Sequence, residues 1–356
     1  MRLLALVEAR DHVCFRYRIQ AFEARLASFG ISLLQEPIQS GTFSRLKQFR
    51  RAGQFDAVIL QRKLLPGWQL HLLRRSARRL VFDYDDAVLY RDSYSPKGIY
   101  SHSRARRFAQ TVAASDAVIA GNRFLADCAF KTGVQPGRVH VIPTCIDLTC
   151  YPVPESRPAS PSRELVWIGS SSTLNGLEQD RSLWEHLGAE IPGLTMRIIC
   201  DRFPEFRGVS IVKVPWSQET EATELAAGGI GIGLLPDDPW SRGKCGLKIL
   251  QYQAAGLPVI ANPVGAHREM IGPGIHGLLA ASPEEWIAAV RELRNADARR
   301  EMGLAGRRQV ESKYSTRVWA DAFVDLVMGR RPLSGAVKDA GGRGLTRTGK
   351  LTSSAK

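Results

Sequence analysis

Short apolar runs alternate with longer stretches of helical spacing along most of the chain. Amphipathic stretches such as 17–29 and 103–113 separate the runs in the first half. Because the runs are apolar throughout, they indicate strands buried on both faces of a parallel sheet. The strands predicted in this half are 3–7, 57–60, 80–82, 117–119 and 139–142.

The second half repeats this pattern after a Pro/Ser-rich stretch at 152–161, whose composition favours a linker. Helical segments at 183–189 and 247–255 lie among its strands. The predicted strands are 165–168, 196–199, 211–214, 230–235 and 258–261. The sequence therefore predicts an α/β protein with two Rossmann-like, doubly wound parallel-sheet domains that face a cleft.

Composition after the second sheet predicts two further segments. Residues 312–330 have the spacing of one amphipathic helix that packs back on the body, and residues 331–356 have the composition of a basic disordered tail. The two sheet domains are predicted at 1–155 and 156–311.

Charge is unevenly distributed within the net +14. Residues 1–160 hold 24 Lys and Arg against 13 Asp and Glu, and the tail holds 6 against 1. This excess indicates an anionic partner for the first domain, such as nucleic acid, phospholipid headgroups or a phosphorylated acceptor, with a solvated basic surface as the alternative.

Targeting and cysteine patterns point to the cytosol. The first apolar run meets charged residues too early for a signal peptide, and no run approaches the roughly 18 residues that cross a bilayer. Six scattered cysteines without a C-x-x-C pair indicate reduced thiols and no zinc site.

The densest cluster of polar residues lies at 237–251, between a predicted strand and the next helix. Gly246 and Leu247 begin that helix, so free amides and the positive end of the helix dipole face an anion. Lys244, Lys248 and Arg242 add the charge that a diphosphate requires.

This cluster and the sequence that follows it, AAGLPVIA at 254–261, resemble the signature of the retaining GT-B glycosyltransferases of family 4. In that family one acid before the helix contacts the donor sugar, and a second acid, one turn into the helix, binds the ribose. Here those positions hold Gly243 and Gln251. The resemblance implies that Gln251 binds the ribose and leaves Asp237 or Asp238 to contact the sugar.

The resemblance also implies how the domains divide the work. Domain 1–155 would bind the acceptor, and domain 156–311 would bind the donor nucleotide with no metal and no other cofactor. The glycine loop with Gly169, Ser170 and Ser171 would bind phosphate, although the basic pair that follows it in the family is missing at 174–178. Lys244 and Lys248 would then stabilise the leaving diphosphate.

Three carboxylates follow a predicted first-domain strand, at Asp83, Asp85 and Asp86. Asp85 and Asp86 are candidate catalytic residues that bind sugar hydroxyls or accept the acceptor proton. Two alternatives are a D-x-D metal site of the GT-A type and an acidic helix N-terminus. Candidate acceptor-side residues follow other strands, with solvated or structural charge as the alternative for the basic ones: Arg16, Arg18, Arg62 and Asn122.

These features predict a retaining glycosyltransferase that moves a sugar from a nucleoside-diphosphate sugar to a hydroxyl acceptor in glycan, polysaccharide or glycolipid synthesis. Its acceptor could be lipid-linked or anionic, which would place the enzyme in the cytoplasm with peripheral contact at the inner membrane face. The alternatives are a sugar-nucleotide epimerase or phosphorylase on the same scaffold and, more remotely, a nucleic-acid-binding protein. Nucleic acid is not an expected partner, because no helix-turn-helix or aromatic-basic motif is present.

Overall fold

Two parallel sheets form the computed structural model, which describes residues 1–9, 12–151 and 163–330. The predicted linker at 152–161 and the predicted tail at 331–356 lie outside the described residues. All strand pairs within both sheets are parallel. This architecture confirms the predicted fold class.

The first sheet has six strands in the order β2-β1-β3-β4-β5-β6. Each predicted strand of this half is present, and β2 is an edge strand that the apolar pattern did not predict. The strands are β1 (Arg2–Val7), β2 (Ser32–Pro37), β3 (Ala57–Gln61), β4 (Leu80–Tyr84), β5 (Ala117–Ala120) and β6 (Val139–Val141).

Helices cover both faces of this sheet. Phe49, Leu73 and Phe108 bury one face under α3, α4 and α5, and Phe15 and Phe22 help to bury the other. The helices are α1 (Val13–Arg18), α2 (Glu23–Ser28), α3 (Thr42–Arg51), α4 (Gly67–Ser76), α5 (His102–Ala114) and α6 (Arg123–Phe130), with 3₁₀ turns at Gln20–Phe22, Ala52–Gln54, Pro136–Arg138 and Leu148–Cys150.

The second sheet has six strands in the order β12-β11-β10-β7-β8-β9. Its strands are β7 (Glu164–Ile168), β8 (Thr195–Cys200), β9 (Ser210–Pro215), β10 (Ile230–Gly233), β11 (Val259–Ala261) and β12 (Gly277–Leu279). Its helices are α7 (Ser171–Gln179), α8 (Arg181–Glu190), α9 (Glu221–Ala226), α10 (Pro239–Arg242), α11 (Leu247–Ala254), α12 (Ala266–Met270), α13 (Pro283–Glu292) and α14 (Ala296–Gln309).

The final helix, α15 (Thr316–Met328), returns to the first sheet after a π-helical turn at Val310–Tyr314. Phe323 stacks on Phe22 with ring centroids 4.4 Å apart, and Asp321 pairs with Arg25 at 2.7 Å. The segment that leads into α15 is hydrogen-bonded to the segment that leaves the first domain. The Ile146 amide donates to the Tyr314 carbonyl, and the Thr316 amide donates to the Ile146 carbonyl. The last helix therefore packs on the domain in which the chain began.

Strand order fixes where a ligand site can form. In the first sheet the strand order reverses between β1 and β3, because β2 is added on one side of β1 and the later strands on the other. In the second sheet the strand order reverses between β7 and β10. Crevices form at such points beyond the carboxyl ends of the strands. The loops after β1, β3, β7 and β10 are therefore the ones that should hold the site.

Candidate active site

Asp86, in the loop after β4, joins the two domains beside these loops. One carboxylate oxygen lies 2.6 Å from Nη2 of Arg62, which follows β3, and the other lies 3.0 Å from Nζ of Lys244, which follows β10. Lys244 also lies 4.8 Å from the ring centroid of Trp240. The structure thus brings together three residues that the sequence predicted for the site.

Arg62 is held in an uncommon backbone conformation beside these acids. Its φ of +58° lies in the left-handed region, and its amide donates to the Asp83 carbonyl at 2.8 Å. Burial opposes ionisation of Asp85, but the charges of Arg62 and Arg18 outweigh burial and hold the pKa of that carboxyl below its ordinary value. Asp85 therefore stays ionised in the site.

Cys14, Asp85 and Asp86 offer ligand atoms within 4.8 Å of one another, a set that could hold a metal ion. The Arg62 guanidinium contacts the same three side chains: it donates to Cys14 Sγ, pairs with Asp86 and lies 3.6 Å from Asp85. A cationic side chain thus already supplies positive charge where a metal would have to bind.

Arg18 and Asp83 form a buried ion pair behind this cluster. Nη2 of Arg18 lies 2.6 Å from Oδ1 of Asp83, and both side chains are at most 1% exposed. Arg18 also donates to the Ile142 carbonyl at 2.5 Å. The acceptor-side role predicted for Arg18 is therefore wrong, because a guanidinium with no exposure and a full set of partners cannot reach a ligand.

The start of α11 has the geometry of an anion site. Gly246 has φ +66°, where a side chain would be strained and would also contact Met270. No side chain among the described residues caps the first amides of α11, from Leu247 onward. These amides and the helix dipole are available to an anion, as the sequence predicted.

Lys248 is a half-buried cation at the first turn of α11. Its Nζ lies 4.1 Å from the Trp167 ring centroid and 3.5 Å from Oγ1 of Thr173, and it makes no ion pair within the described ranges. Burial, together with the charge of Lys244, lowers the pKa of Lys248 to about 7. Lys248 therefore has no anionic partner among the described residues and is placed to pair with a bound anion.

The glycine loop after β7 is tightly built. A side chain on Gly169 would meet Trp167 and Thr173 at 2.4 and 2.6 Å. The Ser170 amide donates to Thr173, and the Ser171 amide donates to a carboxylate oxygen of Asp201 at 2.7 Å. A phosphate at the start of α7 would therefore have to displace the Asp201 carboxylate or bind beside it.

Asp237, Asp238 and Arg242 are used within the second domain. Asp238 caps α10 by accepting from the Ser241 amide at 2.8 Å, and Asp237 pairs with Arg242 at 2.8 Å on an exposed surface. The cap uses one oxygen of the half-buried Asp238, so the donor role predicted for this residue stays a prediction. Asp237 and Arg242 line a cavity of about 470 Å³, together with Asn122, Gly265 and Arg268 among others, whose lining includes neither Lys244 nor Lys248.

Asn122 and Gly243 bring the domains into contact beside Lys244. Asn122 caps α6 and donates to the carbonyls of Gly243 and Lys244 at 3.2 and 3.1 Å. A side chain on Gly243 would lie 2.6 Å from the Ala87 Cβ and 2.9 Å from the Ala87 amide nitrogen. Gly243, which stands where the family carries an acid, is thus a contact point with the first domain.

A buried polar hub around Glu221 was not predicted. Glu221, 2% exposed, accepts from the hydroxyls of Tyr17 at 2.8 Å and Tyr151 at 3.0 Å, and pairs with Arg16 at 2.8 Å. Gln251 donates to both tyrosine hydroxyls, at 3.2 and 3.4 Å. The ribose role predicted for Gln251, 5% exposed, is therefore corrected, whereas the partly exposed Arg16 keeps its predicted role as a prediction. The members of this interdomain hub are far apart in sequence, so no local pattern predicts it.

Matches to protein families cover parts of both domains. The family described as Glycosyltransferase Family 4 matches residues 12–149, and the family described as Glycosyl transferases group 1 matches residues 232–296. The chain is also 26% identical over 241 residues to a D-inositol 3-phosphate glycosyltransferase of Xylanimonas cellulosilytica. That alignment covers 61% of this chain and 58% of the relative.

Solved structures share the fold at low identity. Sucrose-phosphate synthase from Thermosynechococcus elongatus has a TM-score of 0.72 at 17% identity, with 92% of this chain and 98% of that one covered. HepE of Anabaena, in complex with UDP and glucose, has a TM-score of 0.66 at 15% identity, with 92% and 100% covered. A glycosyltransferase of Rickettsia africae has a TM-score of 0.67 at 12% identity, with 94% and 99% covered.

None of the helices within residues 1–9, 12–151 and 163–330 is long and apolar enough to cross a membrane. The family matches fall in both domains, and the two Rossmann-like sheets have the arrangement of the GT-B neighbours. The chain therefore has the GT-B fold, and each of its two domains matches a glycosyltransferase family.

Proposed function

We propose that the chain transfers a sugar from a nucleoside-diphosphate sugar to a hydroxyl acceptor, with retention of anomeric configuration, in glycan, polysaccharide or glycolipid synthesis. The observation that carries the proposal is the pair Lys244 and Lys248 at the uncapped start of α11. Two cations and free amides at one helix N-terminus suit a diphosphate. That structural relatives bind UDP and glucose or UDP-glucose supports this choice of donor.

Lys244 would leave Asp86 and bind the donor diphosphate during the reaction. In the described structure Lys244 pairs with Asp86 across the cleft. A donor diphosphate would take Lys244 and leave Asp86 to Arg62. Negative charge that grows on the leaving diphosphate is then met by both lysines and the dipole of α11, and the phosphate itself can receive the acceptor proton.

Asp85 would act on the first-domain side of the cleft. Its carboxylate is ionised, hydrogen-bonds with Cys14 and lies 3.6 Å from Nε of Arg62, and the side chain is 11% exposed. A sugar hydroxyl would donate to the exposed part of this carboxylate. Because Arg62 and Lys244 carry the positive charge here, we also propose that transfer needs no metal and no other cofactor, and activity in excess EDTA tests this.

Nucleotide binding gives the direct test. Titration calorimetry with a panel of nucleoside diphosphates should find a ligand that Lys244→Ala no longer binds, while Lys213→Ala, an exposed lysine of the same domain, still binds it. Unchanged affinity in Lys244→Ala would remove the phosphate site assigned here. Asp85→Asn with Asp86→Asn should lower turnover far more than donor affinity, and full activity in that double variant would make both carboxylates structural.

We further propose that the reaction takes place in the cytoplasm, which the six free cysteines favour. Transfer to an added hydroxyl acceptor, followed by determination of the product anomer, would establish the reaction class. A product formed by epimerisation or with inorganic phosphate as acceptor would instead support the alternative activities.

A further inference from the structure

Three helices of the first domain begin beyond the carboxyl edge of its sheet, and the start of α5 is set further out than that of α4, because Gly67 at the start of α4 lies beside Gln110 in the third turn of α5. Helices α3, α4 and α5 follow β2, β3 and β4, and each runs back against its parallel strands. Helix α4 packs against both α3 and α5. Nη1 of Arg45 in α3 donates to Oε1 of Gln69 in α4 at 3.0 Å, which joins the first turns of these two helices. All three starts therefore lie on the side of the domain that faces the cleft.

Each of these starts carries a large exposed aromatic side chain. Phe43 in the first turn of α3 is 82% exposed, and Trp68 in the first turn of α4 is 54% exposed. Tyr100, directly before the N-cap of α5, is 73% exposed. Its ring packs edge-on against that of Tyr90, with the ring centroids 5.8 Å apart. Single exposed aromatics are ordinary, but three at one edge of one sheet indicate a contact surface.

The same helices are strongly basic. Their 33 residues include nine Lys and Arg and no Asp or Glu. Several of these cations pair with acids elsewhere, as Arg51 does with Glu36 and Arg74 with Asp116. Five make no ion pair and no side-chain hydrogen bond within the described residues: Lys47, Arg50, Arg75, Arg106 and Arg107. Arg50 and Arg75 lie in the last turns of α3 and α4, away from the aromatics, whereas Lys47, Arg106 and Arg107 lie within the first two turns of their helices and leave positive charge on the aromatic side.

We propose that an aromatic-basic rim, formed by Phe43, Trp68, Tyr100 and the unpaired cations Lys47, Arg106 and Arg107, docks the protein onto an anionic lipid bilayer. Aromatic rings favour the headgroup level of a bilayer, and each cation near an anionic surface adds attraction. Docking by this edge turns the first-domain side of the cleft toward the lipid. That orientation rests on the proposed function, because it presents a lipid-linked hydroxyl acceptor to the site, whereas the docking itself does not depend on it.

Vesicle flotation of the full chain tests the proposal. Phosphatidylcholine vesicles that contain phosphatidylglycerol should carry the protein, and pure phosphatidylcholine vesicles should not. Loss of one rim cation should lower partition about fivefold, so that Lys47→Ser, Arg106→Ser and Arg107→Ser together lower it roughly 100-fold. The triple variant Phe43→Ser, Trp68→Ser, Tyr100→Ser should also stay in solution. Two exposed residues outside the rim serve as controls and should float as the parent does: Phe130→Ser and Arg207→Ser.

Rim variants must keep the thermal stability of the parent and its affinity for nucleoside diphosphate, which shows that they are folded. Equal flotation of parent and rim variants would overturn the proposal, as would binding to both vesicle types. So would a parent that ignores vesicles but binds single-stranded oligonucleotides through the same residues, since aromatics with cations can also stack bases. A parent that floats but binds no nucleotide would refute the proposed function and leave the docking surface standing.

Discussion

Binding of a nucleoside diphosphate should draw a proton from solution through Lys248. Burial and Lys244 hold the pKa of Lys248 at about 7 in the free protein, so at pH 8 about nine tenths of the side chain is neutral. A diphosphate at the start of α11 favours the charged amine and should return the pKa to at least its ordinary value. Complex formation at pH 8 should therefore take up about 0.9 proton at this residue, against about 0.1 at pH 6.

The same linkage sets how affinity changes with pH. Above the pKa of free Lys248, each unit of pH should weaken diphosphate binding by up to about tenfold until the pKa of the complex is reached. Below pH 7 this contribution is fully present. The terminal phosphate of the ligand titrates near pH 6, so measurements between pH 7.5 and 9 separate the lysine from the ligand.

Calorimetry in buffers of different ionisation enthalpy measures this uptake directly. Lys248→Arg keeps a cation that does not titrate in this range, so it should bind the nucleotide without the proton. Lys248→Met should lose both the uptake and most of the affinity. If Lys248→Arg and the parent take up the same number of protons at pH 8, Lys248 does not titrate on binding and the assigned geometry is refuted.

Three other contacts give sharp predictions. Asp83→Asn should lower the free energy of unfolding in urea by roughly 3–5 kcal/mol, because it leaves Arg18 buried without its counter-charge; a loss below about 1 kcal/mol would mean that water reaches the pair. Gly243→Ala should push against Ala87 and lower kcat/KM by about 100-fold at unchanged stability, since small misplacements across a cleft are costly; parental kinetics would show that the domains do not close on Gly243. Glu221→Gln should enlarge the radius of gyration in X-ray scattering and lower kcat about tenfold with donor affinity preserved, and an unchanged radius would remove the hub from domain closure.

The apolar pattern predicted ten of the twelve strands, including the edge strand β9, whose Ile211, Val212 and Val214 form an apolar run although none of them is fully buried. It missed β2 and β12, which are the outermost strands of their sheets. The side chains of β2 are only partly buried or exposed, and β12 has three residues, so neither leaves an apolar run to detect. Edge strands are fixed by pairing with a neighbour, and that information is not local.

Some residues of the candidate site could likewise be predicted from the sequence, and others could not. Lys244, Lys248 and Gly246 could be placed from the sequence because a strand, a glycine and a helix start follow one another within a short segment. Arg18 and Gln251 looked equally suitable as polar residues near strand ends. Their actual partners are Asp83 and the two tyrosines, which lie 65 to 234 residues away, and only the packed chain shows that both are buried.

The return of α15 to the first sheet means that two segments, not one, connect the halves of the molecule. They run side by side where Ile146 bridges to Ser315 in parallel register. A single connection would let one half twist freely about it, whereas a pair of bonded connections resists torsion and leaves bending as the easy motion. Opening and closing of the cleft should therefore follow one axis through this crossing, so that Lys244 meets Asp86 at the same register on each closure.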